Sequence, residues 1–587
     1  MARTNVNTDS NTLAALGKKE VLKRRFGFWS LFGFAVCELI TWETVLALFS
    51  QGFDNGGPAG LVYGFIIAWS STLSVYTVIS ELASMAPIAA GQYYWVYMLA
   101  PDRYKVFCSY IIGWLTSLAW IATVAIETIF AGTILQGLII LDHPDDYDPK
   151  EWHGTLLAWL VIVVAIFINV VVPGVLPKVE IFVIVFHIAG FIAITAVIWA
   201  CTPTQNTSHF VFTTALNEGG WSTQGLSYCI GFMGNVATFV GADASVHMAE
   251  EVSNAAVNIP RAIICSMFIN GAVGFTMMLT ILYNLGDVDT VLESATGYPF
   301  IQIFYDSVNN VAGATVMGAV VLALTWACAT GIITTASRMT WSFARDHGTP
   351  FSRSLSYVSK GRRIPTVAVL TVTGLASLLT LIYIGSYVAF NDIVSLTITG
   401  FYSSYFLPAA FLLWHRIKGD ILPNKQDTPG LAIDADAGVD ANNFANNGDG
   451  ISHLPGKEVS VGDDVKKSAY NDPNPPSYAG HGAPHGRQIS VAEAPLVWGP
   501  FHLPGWFGII NNAYACVYMI FVVFWSVWPP ATPVTYQTMN YSIVVTAGVV
   551  LFSIVWYFIR GRKEYNGPVI DDEVAAVVLR RASVVGA

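Results

Sequence analysis

Four carboxylates stand inside long apolar runs of this 587-residue chain: Glu38 and Glu43 in "FAVCELITWETVLALFS", Glu127 in "SLAWIATVAIETIFAG" and Asp243 in "TFVGADASVHMAEE". No Lys or Arg lies deep in those runs. A carboxylate in hydrocarbon costs several kcal/mol unless it is protonated, hydrated or matched by a cation. Two chemistries fit. Each acid is either a counter-charge for an ammonium or a proton, or a neutral carboxylic acid that hydrogen-bonds a neighbouring helix. In the first case Trp42, Tyr228, Phe232 and Phe239 offer ring faces to an ammonium headgroup, and Asn235 and Gly241 belong to the same segment as Asp243. Glu38 and Glu43 lie about 140° apart on an ideal helix. Both face one site only if the helix breaks between them, so Glu43 and Asp243 are the leading candidates and Glu38 is expected to face away.

Three further groups have chemistry. His187, in "IFVIVFHIAGF", stands near mid-run, where a histidine either relays a proton or makes an interhelical hydrogen bond. Arg338 and Arg345, in "SRMTWSFARD", are placed to pair with Asp346, Glu250 or Glu251 as a cytoplasmic latch, or to serve as positive anchors. Glu81, at the inner end of the second apolar run, is a further latch partner or a solvated acid.

The elements that position these groups are membrane helices. Hydrophobic residues make up 54% of the chain and charged ones only 12%, and mean hydropathy is +0.54; a soluble chain carries about twice that charge. Twelve apolar runs are long enough to cross a core of about 30 Å. They fall near 28–50, 59–82, 106–138, 155–173, 180–201, 224–245, 262–284, 312–336, 365–388, 393–414, 507–528 and 541–560. The expected fold is therefore an all-α polytopic membrane protein. With both termini cytoplasmic, 28 of the 29 Lys and Arg fall inside and only Lys150 outside. The polar start, ending in "KKEVLKRRF", is expected to be a cytosolic tail (1–27) rather than a cleavable leader. The segment 416–500 is rich in Asp, Asn, Gly and Pro and is expected to be a disordered cytosolic loop. Two spans (501–560) and a cytosolic tail (561–587) follow. Much of the net charge of −10 sits in that loop, and it implies no nucleic-acid partner.

Several machines lack their motifs here. The sequence has no G-x-x-x-x-G-K-[ST] phosphate loop, no H-E-x-x-H, no G-x-S-x-G and no T-V-G-Y-G filter. The seven cysteines show no metal or disulfide spacing. No enzyme activity, cofactor or metal is expected, and secondary transport remains. Many such folds bind substrate where two helices, at corresponding places in two inverted halves, are interrupted. The sixth run, loosened by Gly231, Gly234 and Gly241, is one such helix, and the first run, five spans earlier, is its counterpart.

Five stretches carry a family likeness: "SELASMAPIAAGQYYWVYMLAP" (80–101), "GGWSTQGLS" (219–227), "FVGADASVHMAEEVSNAAVNIPRAI" (239–263), "TASRMTWSFARDHGTP" (335–350) and "WPPATPVTYQTMNYS" (528–542). With them the chain resembles the amino acid–polyamine–organocation transporter superfamily, and within it the fungal amino acid/choline permease branch. The resemblance implies a ten-helix core of two five-helix inverted repeats (28–415, halves about 28–201 and 224–415) plus two peripheral helices. It also implies import of a small amine or amino acid, such as choline or 4-aminobutyrate, with protons as the coupling ion, in the plasma membrane. Two departures stand out. Ala90 replaces one of the paired glycines before Gln92, and span one has no glycine between Gly33 and Gly52 to form a carboxylate-binding break. The second departure favours a substrate recognised by its cation. The alternative is a nutrient receptor on a transporter frame, for which 416–500 is the docking candidate.

Overall fold

A computed structural model describes residues 9–10, 12–385, 388–424, 495–536 and 538–571. Residues 425–494, which make up most of the expected disordered loop, and the ends of both expected tails lie outside the described residues. Eleven helices are long and apolar enough to cross a membrane, and no strand beyond two isolated bridges occurs among the described residues. The twelfth expected span is present but interrupted. Span six runs as a helix over Gln224–Ala237, turns through 238–243, and resumes as Ala244–His247. Gly241 sits in that turn at φ +118°, a conformation L residues with side chains rarely adopt.

Span one is interrupted too, and without glycine. Its halves are Phe28–Leu39 and Thr41–Ala47, joined at Ile40 with φ 27° and ψ 50°. A β-branched residue at positive φ is strained by about 1–3 kcal/mol and persists only where neighbours enforce it. Asn270 of span seven (Ala255–Tyr283) supplies that support. Its Oδ1 accepts from Thr41 N and its Nδ2 donates to Val36 O, both at 3.4 Å. Thr41 N thus finds a partner in an apolar interior, where leaving it unmet is costly, and Asn270 adds a second donor to Val36 O, which already accepts from Ile40 N at 3.3 Å. The two breaks adjoin, because a Cβ on Gly241 would lie 2.9 Å from the Glu38 carbonyl oxygen.

Around this centre, counterpart spans pack together. Span two (Gly57–Met85) lies against span seven, and span three (Lys105–Asp142) against span eight (Val311–Arg345). Span four (Glu151–Val170) lies against span nine (Thr366–Thr380). Span five (Leu176–Cys201) covers span one, and span eleven (Gly505–Trp525) packs on spans two and ten (Val388–Lys418). Span twelve (Ser542–Trp556) lies against spans three and ten. On the basic face, the residues entering span one join those leaving span six. Phe26 N donates to Glu251 O, and Ser253 N donates to Phe26 O.

The expected loop 416–500 needs trimming at both ends. Leu422 and Val497 form a bridge, with Leu422 N donating to Leu496 O at 2.8 Å and Trp498 N donating to Leu422 O at 2.9 Å.

Candidate functional site

Where the two interrupted helices meet, a cavity of about 50 Å³ lies between spans one, three, six, eight and ten. Glu38, Thr44, Thr123, Glu127, Phe130 and Thr397 line it, and no residue on its wall is cationic. Glu38 and Glu127 are 3% and 6% exposed. Both Glu38 carboxyl oxygens and Glu127 Oε1 lack a hydrogen-bond partner. Gly331 of span eight makes room for this, because the Glu38 Oε1 atom occupies the space where a Cβ on residue 331 would stand. The site thus presents two facing acids, three hydroxyls and one ring to whatever enters, an arrangement complementary to a small cation.

This revises the expected roles of the two span-one acids. The turn at Ile40 directs Glu38 into the cavity, whereas Glu43 faces span five. There Glu43 Oε1 lies 2.8 Å from His187 Nδ1, with both side chains buried. Trp42 goes with Glu43, packing on His187 at 5.8 Å and on Phe191 at 6.4 Å between ring centroids. Glu43 and Trp42 therefore flank the site without lining it, and the interhelical bond foreseen for His187 is made to Glu43.

Asp243 is fully buried but already satisfied. Gln92 Nε2 donates to its Oδ2 at 2.7 Å, Tyr405 OH to its Oδ1 at 2.5 Å, and His247 Nε2 stands 3.7 Å away. Its carboxylate ties the span-six turn to the helix that begins at Gln92 and to span ten, rather than facing the cavity. Tyr76 completes this support, donating to Phe239 O at 3.0 Å and accepting from Gly241 N at 3.1 Å. Phe239 packs on Phe65 at 4.9 Å, and Phe232 meets Phe521 of span eleven at 5.9 Å. Asn235 presses on Gly64 of span two, and Tyr228 lies on Gly60 one turn earlier. None of these aromatics caps the cavity; Phe130, unremarked in the sequence, does.

The basic face is closed by ion pairs. Arg338 Nε meets Glu251 at 2.9 Å, and Arg345 grips Glu250 bidentately at 2.7 and 3.1 Å. Lys18 pairs with Asp346, which also accepts from Tyr93 OH at 2.8 Å and from Val569 N at 3.1 Å. The segment before span one and the segment after span twelve therefore converge on the end of span eight at the basic face. Burial pushes the Lys18 ammonium down from its ordinary range, against the pull of Asp346. Glu81 belongs to a different lock from the one expected. Its carboxylate takes Arg416 at 2.6 Å and Leu503 N at 2.6 Å, joining span two to span ten and the entry of span eleven.

At the other face lies a second cavity of about 270 Å³, walled by Thr133, Gln136, Lys150, Glu151, Thr296 and Tyr298. Lys150 is held there by Asp148 at 2.6 Å.

The amino acid permease family model matches residues 26–435. The chain is similar to a choline transporter of Saccharomyces cerevisiae, at 27% identity over 95% of this chain and 85% of that one. It is also similar to an uncharacterized amino-acid permease of Schizosaccharomyces pombe (27%, 96% and 90%) and to the amino-acid permease BAT1 of Arabidopsis thaliana (24%, 95% and 95%). Among solved structures it is similar to a manganese transporter of Eremococcus coleocola, with 12% identity, 91% and 94% coverage and a TM-score of 0.46. The chain belongs to the amino acid permease family, whose members carry amino acids or amines across membranes.

Proposed function

We propose that this permease imports a small organic cation, with choline as the leading candidate, in symport with protons. The plasma membrane is the proposed location, with both termini and the basic face in the cytoplasm. The observation that carries this is the pair Glu38 and Glu127, two buried acids with free oxygens facing one cavity that has no protein cation on its wall. A zwitterion would need a partner for its carboxylate, and two acids repel one. The S. cerevisiae relative named a choline transporter supports the same substrate class.

The cavity admits a few waters and is far smaller than the ~300 Å³ of a ligand pocket, so the arrangement is a closed one. Parting the span-one and span-six halves enlarges it. An ammonium entering between Glu38 and Glu127 gains Coulomb attraction in a poorly screened space, and the Phe130 ring face adds a cation–π contact. Glu43 and His187 share the proton alongside. The ion pairs of Arg338, Arg345 and Lys18 hold the cytoplasmic side shut until the loaded site opens inward.

The test is uptake of labelled choline in a transport-deficient host, with competition by other amines and by neutral amino acids. Choline and related quaternary amines should compete, uptake should rise as external pH falls, and a protonophore should abolish accumulation. Competition by neutral amino acids alone, or dependence on sodium instead of protons, would overturn the corresponding half of the proposal. Absence of uptake with retained nutrient signalling would favour the receptor alternative.

A further inference from the structure

Span five turns one stripe toward the protein, including Glu180, Val183, His187, Gly190 and Ile194. Ile181, Phe182 and Val185 between them are exposed on the apolar outer surface. Two residues of the stripe are titratable, and seven positions separate them. That is two helical turns, so Glu180 and His187 stand nearly in line, about 10 Å apart along the helix.

Both carry an unmet polar atom. Glu180 is 1% exposed and its Oε2 has no hydrogen-bond partner. His187 is fully buried; Glu43 occupies its Nδ1, while its Nε2 is free. A buried carboxyl with a free oxygen is expensive in a membrane interior and marks function by default. Lys178, two residues earlier, is exposed and belongs to the basic face, so Glu180 lies just inside the water boundary. Across from it, span one presses close. A Cβ on Gly33 would lie 2.5 Å from the Glu180 carbonyl oxygen, the Cys37 thiol of span one is a hydrogen-bond partner of the Glu180 carboxyl, and that carboxyl acts in turn on Glu38.

We infer that Glu180 is the exit station of the transported proton, between the Glu43–His187 pair and the cytoplasm. The inference rests on the proton coupling proposed above. An imidazolium at His187 gives up its Nε2 proton and becomes neutral. The Glu180 carboxylate takes that proton at Oε2, then releases it to cytoplasmic water and is a carboxylate again. Water bridges the gap past Val183 when span one separates from span five. The glycine contact at Gly33 closes the route while the transporter is at rest, preventing a proton leak.

The experiment compares two modes in proteoliposomes with labelled choline: uphill uptake driven by an imposed proton gradient, and choline counterflow, which requires no net proton release. Glu180→Gln should lower gradient-driven uptake at least tenfold and flatten its pH dependence, while leaving counterflow within about twofold. Glu180→Asp, which keeps the carboxyl, should recover much of the driven uptake. Loss of both modes together in Glu180→Gln would assign a structural role and overturn the inference. So would an unchanged pH profile in a protein whose wild type is proton-driven. Wild-type uptake that ignores the proton gradient would instead overturn the coupling itself, and the exit station with it.

Discussion

Glu38 and Glu43 lie five positions apart, on either side of one strained turn at Ile40, and they serve different neighbours. Glu38 faces the cavity with both oxygens free, while Glu43 is bonded to His187 at 2.8 Å. The two acids of span one should therefore separate experimentally. Glu38→Gln and Glu127→Gln remove charge from the cavity wall and should weaken apparent affinity for a cationic amine five- to a hundredfold, or about 1–3 kcal/mol. Glu43→Gln should leave affinity nearly intact and instead shift the pH dependence of uptake. Apparent KM values at fixed pH, set beside pH profiles of each variant, check this. Equal affinity in wild type and both cavity variants would show that the cation is bound elsewhere.

A second prediction concerns the room that Glu38 needs. Gly331 has no side chain where the Glu38 carboxyl lies, so Gly331→Ala forces the two groups together. Overpacking of this kind costs about 1–3 kcal/mol, and here the flexible partner is the acid itself. The expected outcome is normal surface expression with KM raised severalfold. Pairing Gly331→Ala with Glu38→Asp, which shortens the acid by a methylene, should recover part of the loss. Additive losses in the double variant would indicate that the two residues do not meet.

Much of the frame was legible in the sequence, because apolar run length marks the spans. The span-six break was foreseeable because Gly241 can adopt a φ that L residues avoid. The span-one break was not, because its turn falls on Ile40, a residue type that resists positive φ, and is supported by Asn270 from a helix some 230 positions away. That single unforeseen turn exchanges the roles of Glu38 and Glu43. Asp243 shows the same limit, since its partners Gln92 and Tyr405 are about 150 residues distant in either direction. Glu180 did leave a local signal, the seven-residue spacing from His187.

The third prediction concerns pH on the face opposite the basic one. Asp54 is half-buried beside Glu218, and burial first, then that neighbouring charge, raises its carboxyl to about 6 from 3.8. A carboxyl whose folded pKa is raised contributes stability below its unfolded pKa and loses that contribution as pH climbs through the folded value. Wild-type protein should therefore lose on the order of 1–3 kcal/mol between about pH 4 and pH 7 from this group. Asp54→Asn, which cannot ionise, should flatten that part of the curve. Thermal unfolding of the two proteins in detergent across this window reads the difference, and parallel curves would show that Asp54 does not contribute.

The last prediction concerns the lock on the basic face. Arg345 holds Glu250 through two hydrogen bonds and lies over the Trp341 ring at 4.4 Å, so it ties span eight to the segment after the span-six break. Removing one partner of a buried pair leaves the other charge uncompensated, at a cost of about 3–5 kcal/mol. Arg345→Glu should therefore lose uptake by tenfold or more, because two acids now oppose each other where the proposed gate closes. The exchange Arg345→Glu with Glu250→Arg restores opposite charges but not the Trp341 contact, so recovery should be partial. The coupling in this double-mutant cycle measures the pair itself. If the lock works as a gate, the exchanged protein should bind substrate with wild-type affinity while its transport rate differs. If Arg345 is only a positive anchor at the membrane surface, Arg345→Lys should be silent and the exchange no better than either single variant.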